Sequence, residues 1–298
     1  MTPHQIGRVV LWMTGALLSF CVIAVSIRGL AGRLSVFEIL VLRSAIALVI
    51  LLTLAALHPR LREDLRPRHL KMHFTRSLFH FVGQYCWALG LILLPLAVVF
   101  ALEFMMPVFV VILAVSLLGE RITGGRLIMI ASGLIGVVVI LRPGLAAFQP
   151  AALIVLLAAF CYAVFNTMTK KMTSDTGIFA IVFWMNLMQF PMGLAGSDLS
   201  FPLRLGLEQV PSILGLGVGG LLAHYCLANA FRAGDAILVL PIDFLRVPLI
   251  ALVGWWLFGE KVDIWVFAGA LIIMTGILWN LRAETRPRPN FRPHDPRH

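Results

Sequence analysis

Ten apolar runs of about 20 residues, separated by short polar connections, fill almost the whole of this 298-residue chain. They fall near 9–27, 35–57, 70–91, 95–118, 124–141, 151–169, 177–196, 210–231, 236–258 and 263–281. A run of that length crosses the ~30 Å hydrocarbon of a bilayer as a helix. In lipid, a helix satisfies its backbone polar groups within its own segment. Charged residues make up 13% of the chain, against about 25% in soluble domains, so most of the outer surface has to face lipid. The expected fold class is an all-α polytopic membrane protein with ten transmembrane helices. The third and seventh runs carry the most polar residues.

The net charge of +10 sits at the ends of the apolar runs and not on one basic face. That placement marks topology signals and excludes nucleic acid as a partner. With the N-terminus in the cytoplasm, sixteen Lys and Arg residues fall in inner segments and five in outer ones. The positive-inside rule therefore places both termini in the cytoplasm of an inner (plasma) membrane. The first run lacks a small-x-small cleavage site and is read as a helix. The Pro- and Arg-rich tail, 286–298, reads as disordered and cytoplasmic.

The second half of the chain repeats the first at an offset of 140 residues. Gln84-Tyr85-Cys86-Trp87-Ala88 returns as His224-Tyr225-Cys226-Leu227-Ala228, Glu103-Phe104 as Asp243-Phe244, and Leu118-Gly119-Glu120-Arg121 as Phe258-Gly259-Glu260-Lys261. Over positions 84–142 the gapless pairing holds 11 identities in 59. Phe20-Cys21 likewise falls on Phe160-Cys161, which makes all four cysteines repeat pairs. The units are 1–145 and 146–285, with five spans each. Five is odd, so the second unit enters the bilayer upside down. A 5+5 inverted repeat has two near-equivalent arrangements, one open to each side.

With ten spans, this duplication, and fourth and ninth spans ending in Gly119-Glu120 and Gly259-Glu260, the chain resembles the drug/metabolite transporter superfamily, EamA family. The resemblance covers roughly residues 9–282. It implies a secondary carrier of small polar or amphipathic metabolites, some members working inward and others outward. Phe37-Glu38 with Arg43, then Arg76, then Gly234-Asp235-Ala236 leading into Pro241-Ile242-Asp243-Phe244, are similar to the S-adenosylmethionine uptake carriers of that family.

Charge inside a bilayer is costly and marks function or pairing. The intramembrane charges are Arg43, Arg76, Glu103, Asp243 and Arg246. Glu103 and Asp243 lie at matched depths of oppositely directed spans, where they would bind a cationic group of the substrate or a coupling proton. Alternatively they are structural ion pairs. Asp243 and Arg246 share a helical face at three residues' spacing, and Arg43 or Arg76 could pair with Glu103. Guanidinium groups also hold carboxylates and phosphates bidentately, while Arg76 could instead snorkel to the inner headgroups. Arg76, His80 and Gln84 recur every four residues on the third span, a polar face that has to look inward. Tyr162 and Asn166 on the sixth span, Asn186 with Gln189 on the seventh, and His224 on the eighth read either as polar substrate contacts or as helix bridges. Pro107, Pro241 and Pro248 interrupt the charged helices and are candidate gating hinges. Glu120 and Glu260 read as interfacial, with Arg121 and Arg126, or Lys261, as partners.

The loops contain no H-x-x-x-H, D-x-x-D or G-x-S-x-G, which argues against a membrane-embedded enzyme, and no nucleotide-binding motif. The cysteines lack C-x-x-C spacing and read as packing residues, so neither a metal nor a cofactor is implied. The partners are a small-molecule substrate and the lipid bilayer, with a coupling proton and a homodimer both compatible. An exporter and a non-transporting scaffold are the alternatives to a metabolite carrier.

Overall fold

A computed structural model describes residues 3–65, 69–118, 123–142, 149–172, 176–234 and 236–285. These described residues form thirteen α-helices: α1 (Pro3–Leu30), α2 (Val36–Leu57), α3 (Pro59–Asp64), α4 (Leu70–Leu93), α5 (Leu96–Glu103), α6 (Met106–Leu118), α7 (Gly124–Leu141), α8 (Ala152–Met172), α9 (Ile178–Leu194), α10 (Val210–Ala233), α11 (Ala236–Phe244), α12 (Arg246–Phe258) and α13 (Ile264–Thr285). Two 3₁₀ turns lie between α9 and α10, and no strand occurs among the described residues. The expected tail, 286–298, and the Gly119-Glu120 pair lie outside the described residues.

Among the described residues, eight helical segments are long and apolar enough to cross a membrane, with α5–α6 and α11–α12 each forming one such segment. The 17-residue α9 is a shorter apolar helix. The 24-residue α4 is long enough, but it carries Lys71, His73, Arg76, His80 and Gln84. Its polar face, including His73, Arg76, Ser77 and His80, is buried, whereas Phe74 and Leu78 on the opposite face are exposed. That is the reverse of a soluble amphipathic helix and suits a lipid surround. Elsewhere the outer surface is similarly apolar, with Leu11, Val49, Leu134 and Trp256 all more than half exposed.

Local chemistry sets the helix ends. Ser35 and Glu38 form a capping box on α2, with Glu38 N–H donating to Ser35 Oγ (3.3 Å) and Ser35 N–H to Glu38 Oε2 (2.7 Å). Thr123 caps α7. Gly259, at φ +65°, turns the chain out of α12, a conformation that glycine adopts without a Cβ penalty.

Helix packing follows the repeat. Counted by the 140-residue offset, α8 is the counterpart of α1 and α10 that of α4. The α1–α10 and α4–α8 pairs are accordingly among the most extensive contacts in the molecule. Two counterpart pairs, α7 with α13 and α2 with α9, pack directly on one another. At the α7–α13 contact, a Cβ on Gly136 would lie 2.6 Å from the Gly269 carbonyl, so small residues let the two backbones meet.

Candidate functional site

Both long segments that carry the intramembrane acids are broken at matched positions. α5 ends at Glu103 and α6 begins at Met106; α11 ends at Phe244 and α12 begins at Arg246. At each break one N–H reaches back three residues, Met105 to the Leu102 carbonyl and Leu245 to the Ile242 carbonyl, both at 3.0 Å. The next helix then restarts with Phe109 donating to the Met105 carbonyl and Leu249 to the Leu245 carbonyl. Every one of these pairs is related by the 140-residue offset. Pro107 is the second residue of α6 and Pro248 the third of α12, first-turn positions whose N–H groups have no acceptor within the helix, so proline fits where each helix restarts. Pro241 lies inside α11, upstream of its break.

The broken ends meet around one arginine. Arg246 donates through Nη2 to Asp243 Oδ2 (3.2 Å) and through Nη1 to Glu103 Oε1 (3.4 Å). Glu103 also accepts from Trp87 Nε1 at 2.9 Å. Three phenyl rings surround the guanidinium, with centroids 4.4 Å (Phe20), 5.3 Å (Phe100) and 5.3 Å (Phe104) from its Cζ. These add cation–π attraction where water is excluded. Arg246 is thus shared between an acid of its own half and an acid of the other half. Glu103 pairs with Arg246, not with Arg43 or Arg76, the partners considered from sequence. The set holds two carboxylates and one guanidinium, and Asp243 Oδ1 is buried without a hydrogen bond.

A second polar cluster joins α2, α4, α8 and α9. Arg43 donates to Gln189 Oε1 (2.8 Å), and Gln189 Nε2 lies 2.7 Å from His80 Nδ1 and 3.2 Å from the Ser77 carbonyl. Arg76 is fully buried and does not snorkel. It donates to Thr169 Oγ1 (3.2 Å) and to the Ile181 carbonyl (2.8 Å), and its Cζ lies 4.9 Å from the Phe165 ring centroid. Tyr162, on α8, packs against this cluster. Its ring is 5.7 Å from that of His80. His224, on α10, is exposed at the molecular surface.

Other residues suggested by sequence are more peripheral. Asn166 is exposed and donates to Met106 Sδ (3.0 Å). Asn186 is buried and donates to the Val182 carbonyl one turn back (2.9 Å), leaving its Oδ1 without a partner. Gln84 Oε1 is also buried without a partner. Gln189, read from sequence as a substrate contact or a helix bridge, bridges helices, and Trp87, which continues the polar face of α4, was not singled out as a ligand. Spacing alone does not say that they bridge helices.

One end of the bundle is tied by ion pairs between loops. Arg28, in the last turn of α1, pairs with Glu260 and also donates to the Leu91 carbonyl (2.6 Å) and the Leu94 carbonyl. Glu260 in turn accepts from the Leu96 N–H at the start of α5 (2.9 Å). Its partner is therefore Arg28, not Lys261. Gly254 leaves room for the Glu260 carboxylate, which a Cβ there would strike. Glu38–Arg204, Arg33–Glu208 and Arg142–Asp263 pairs lie at the same end. Arg28 has no sequence signal, because its partners lie 63 to 232 residues away.

Lipid-facing helices around a buried, two-sided ionic centre define an integral membrane transporter, and comparison with known proteins agrees. Residues 7–142 and 149–282 each match the model of the EamA-like transporter family, to which this chain belongs. It is 27% identical over 275 residues to an S-adenosylmethionine uptake transporter of Rickettsia felis, covering 92% of each chain. It is 28% identical over 280 residues to a riboflavin transporter of Vibrio cholerae, covering 93% of each. A riboflavin transporter of Rhizobium johnstonii is 31% identical over 216 residues, 72% of this chain and 71% of that one. A crystal structure with 17% identity and a TM-score of 0.59 covers 94% of this chain and 99% of its own, and shares the fold.

Proposed function

We infer that the chain is a secondary active carrier of a small polar or amphipathic metabolite, working by alternating access in an inner membrane with both termini cytoplasmic. In this reading α4 and α9 complete ten spans, and residues 1–145 and 146–285 form two five-helix units of opposite orientation. The observation that carries it is the sharing of Arg246 between Asp243 and Glu103 at the two helix breaks. When the units exchange conformations, both breaks bend and this shared cation redistributes between the two acids. With two acids facing one arginine, the centre has room for one further positive charge, a coupling proton or a cationic group of the solute. Coupling is therefore to a gradient or to exchange. Named relatives handle S-adenosylmethionine and riboflavin. Each of these joins a fused heteroaromatic ring to a hydroxyl-bearing chain or sugar, which supports an amphipathic metabolite as cargo.

The test is uptake and counterflow by purified protein in proteoliposomes, with and without a pH gradient, against a metabolite panel that includes those two solutes. Glu103→Gln and Asp243→Asn are expected to insert and fold but to lose transport. Full transport in both variants would refute any essential role for the ionic centre.

A further inference from the structure

Arg43 and Arg76 differ from every other arginine whose ion pair is described above, because no carboxylate lies within ion-pair distance of either among the described residues. Both are at least nine-tenths buried. The two acids at the centre are engaged by Arg246. Two uncompensated guanidinium groups away from water are expensive, and a helix-bridging role needs no net charge. We propose that this cluster is the subsite that recognises an oxyanion of the transported solute, a carboxylate or a phosphate. The proposal rests on the carrier reading and specifies the cargo of that same carrier.

The hydrogen bonds divide the work. Arg76 is held by α8 and α9 through Thr169 and the Ile181 carbonyl, so it is a fixed source of positive field. Arg43 has one described hydrogen bond, to Gln189 Oε1, and its buried Nε has none. Gln189 is itself fixed by its amide contacts with Ser77 and His80, so its oxygen holds one edge of the Arg43 guanidinium. A guanidinium held by one bond, with donors to spare, is prepared for bidentate recognition of a planar or tetrahedral oxyanion. Tyr162 packs beside this cluster, its ring 5.7 Å from that of His80.

The test uses the full chain in proteoliposomes and three kinds of matched solutes: S-adenosylmethionine against its decarboxylated form, riboflavin 5′-phosphate against riboflavin, and amino acids against their amides. Wild type is expected to favour the oxyanion-bearing member of at least one pair about ten-fold or more in half-saturating concentration, since truncating one side of a buried charged bond costs at least that factor. Preference for a carboxylate or for a phosphate member identifies the source. Arg43→Gln is expected to bring the ratio to within about two-fold. Arg43→Lys, which keeps charge without the fork, should fall between. Should Arg43→Gln fail to fold, Gln189→Glu, which supplies an acid to Arg43 from inside, should abolish the same preference. Transport of neutral or cationic members with no oxyanion preference, or a preference unchanged in these variants, would overturn the subsite and leave the carrier reading intact. Absence of uptake across the panel would overturn both.

Discussion

Arg246→Met separates the two readings of the central charges. Arg246 bonds to both Asp243 and Glu103 and contacts three phenyl rings. Methionine fills a similar volume but leaves two carboxylates facing each other, with Trp87 as the remaining described donor to Glu103. Removing one side of a buried ionic set costs about 3–5 kcal/mol, because the charge left behind has no compensation. At roughly 2–3 °C per kcal/mol for a chain of this size, the midpoint should fall by roughly 6–15 °C. Asp243→Asn behaves differently, since it leaves Arg246 paired one-to-one with Glu103. Its cost should stay within about 1.5 kcal/mol, or roughly 4 °C. The triple variant Arg246→Met, Glu103→Gln, Asp243→Asn should recover most of the loss, as the stranded charges go with their partner. Unfolding can be read with a thiol-reactive fluorophore, because Cys21, Cys86, Cys161 and Cys226 are all free and buried. If Arg246→Met melts close to wild type, or Asp243→Asn is the more damaging change, Arg246 is not what compensates the buried acids.

Further outcomes follow from the rest of the molecule. Arg28→Ala or Glu260→Gln unties α1, α5 and the α12–α13 loop at one end. A cysteine placed at Ala31 should then react several-fold faster with a membrane-impermeant maleimide, and an unchanged rate in both variants would show that the pair does not hold that end closed. Gly136→Ala drives a Cβ to 2.6 Å from the Gly269 carbonyl and should cost about 1–3 kcal/mol, whereas Gly220→Ala meets open space and should cost nothing; equal midpoints for the two would contradict the α7–α13 contact. Topology reporters fused near Pro59 and near Lys170 should report the same side, and opposite sides would rule out the inverted arrangement of the two halves.

Much of the architecture is legible in the amino-acid order because lipid is a demanding solvent. Backbone groups without water have to bond within their own segment, so apolar runs of bilayer length become helices whatever their neighbours do. The helix starts at Val36, Leu70, Gly124 and Val210 are within a residue of the hydrophobic boundaries. The inward polar face of α4 is equally readable, since Arg76 and His80 repeat at helical spacing and cannot face hydrocarbon. The breaks were only half legible. Pro107 and Pro248 announce an interruption, but the chain turns at Phe104–Met105 and at Leu245, ahead of both prolines.

Partnership was not legible. From spacing alone, Glu103 could meet any of three arginines, and Asp243 one turn from Arg246 is a local pair that needs no other half. Only the packing of α5 against α12 brings Glu103 to Arg246. Likewise, Gln189 holding Arg43, Arg76 turning inward to Thr169, and Arg28 reaching Glu260 are contacts over 93 to 232 residues of chain. Helical periodicity acts over one or two turns and lipid acts on each residue singly, so together they specify which segments span and which faces look inward. A charge in a low-dielectric interior instead takes its meaning from the counter-charge a few ångströms away, and that neighbour is chosen only when the helices assemble.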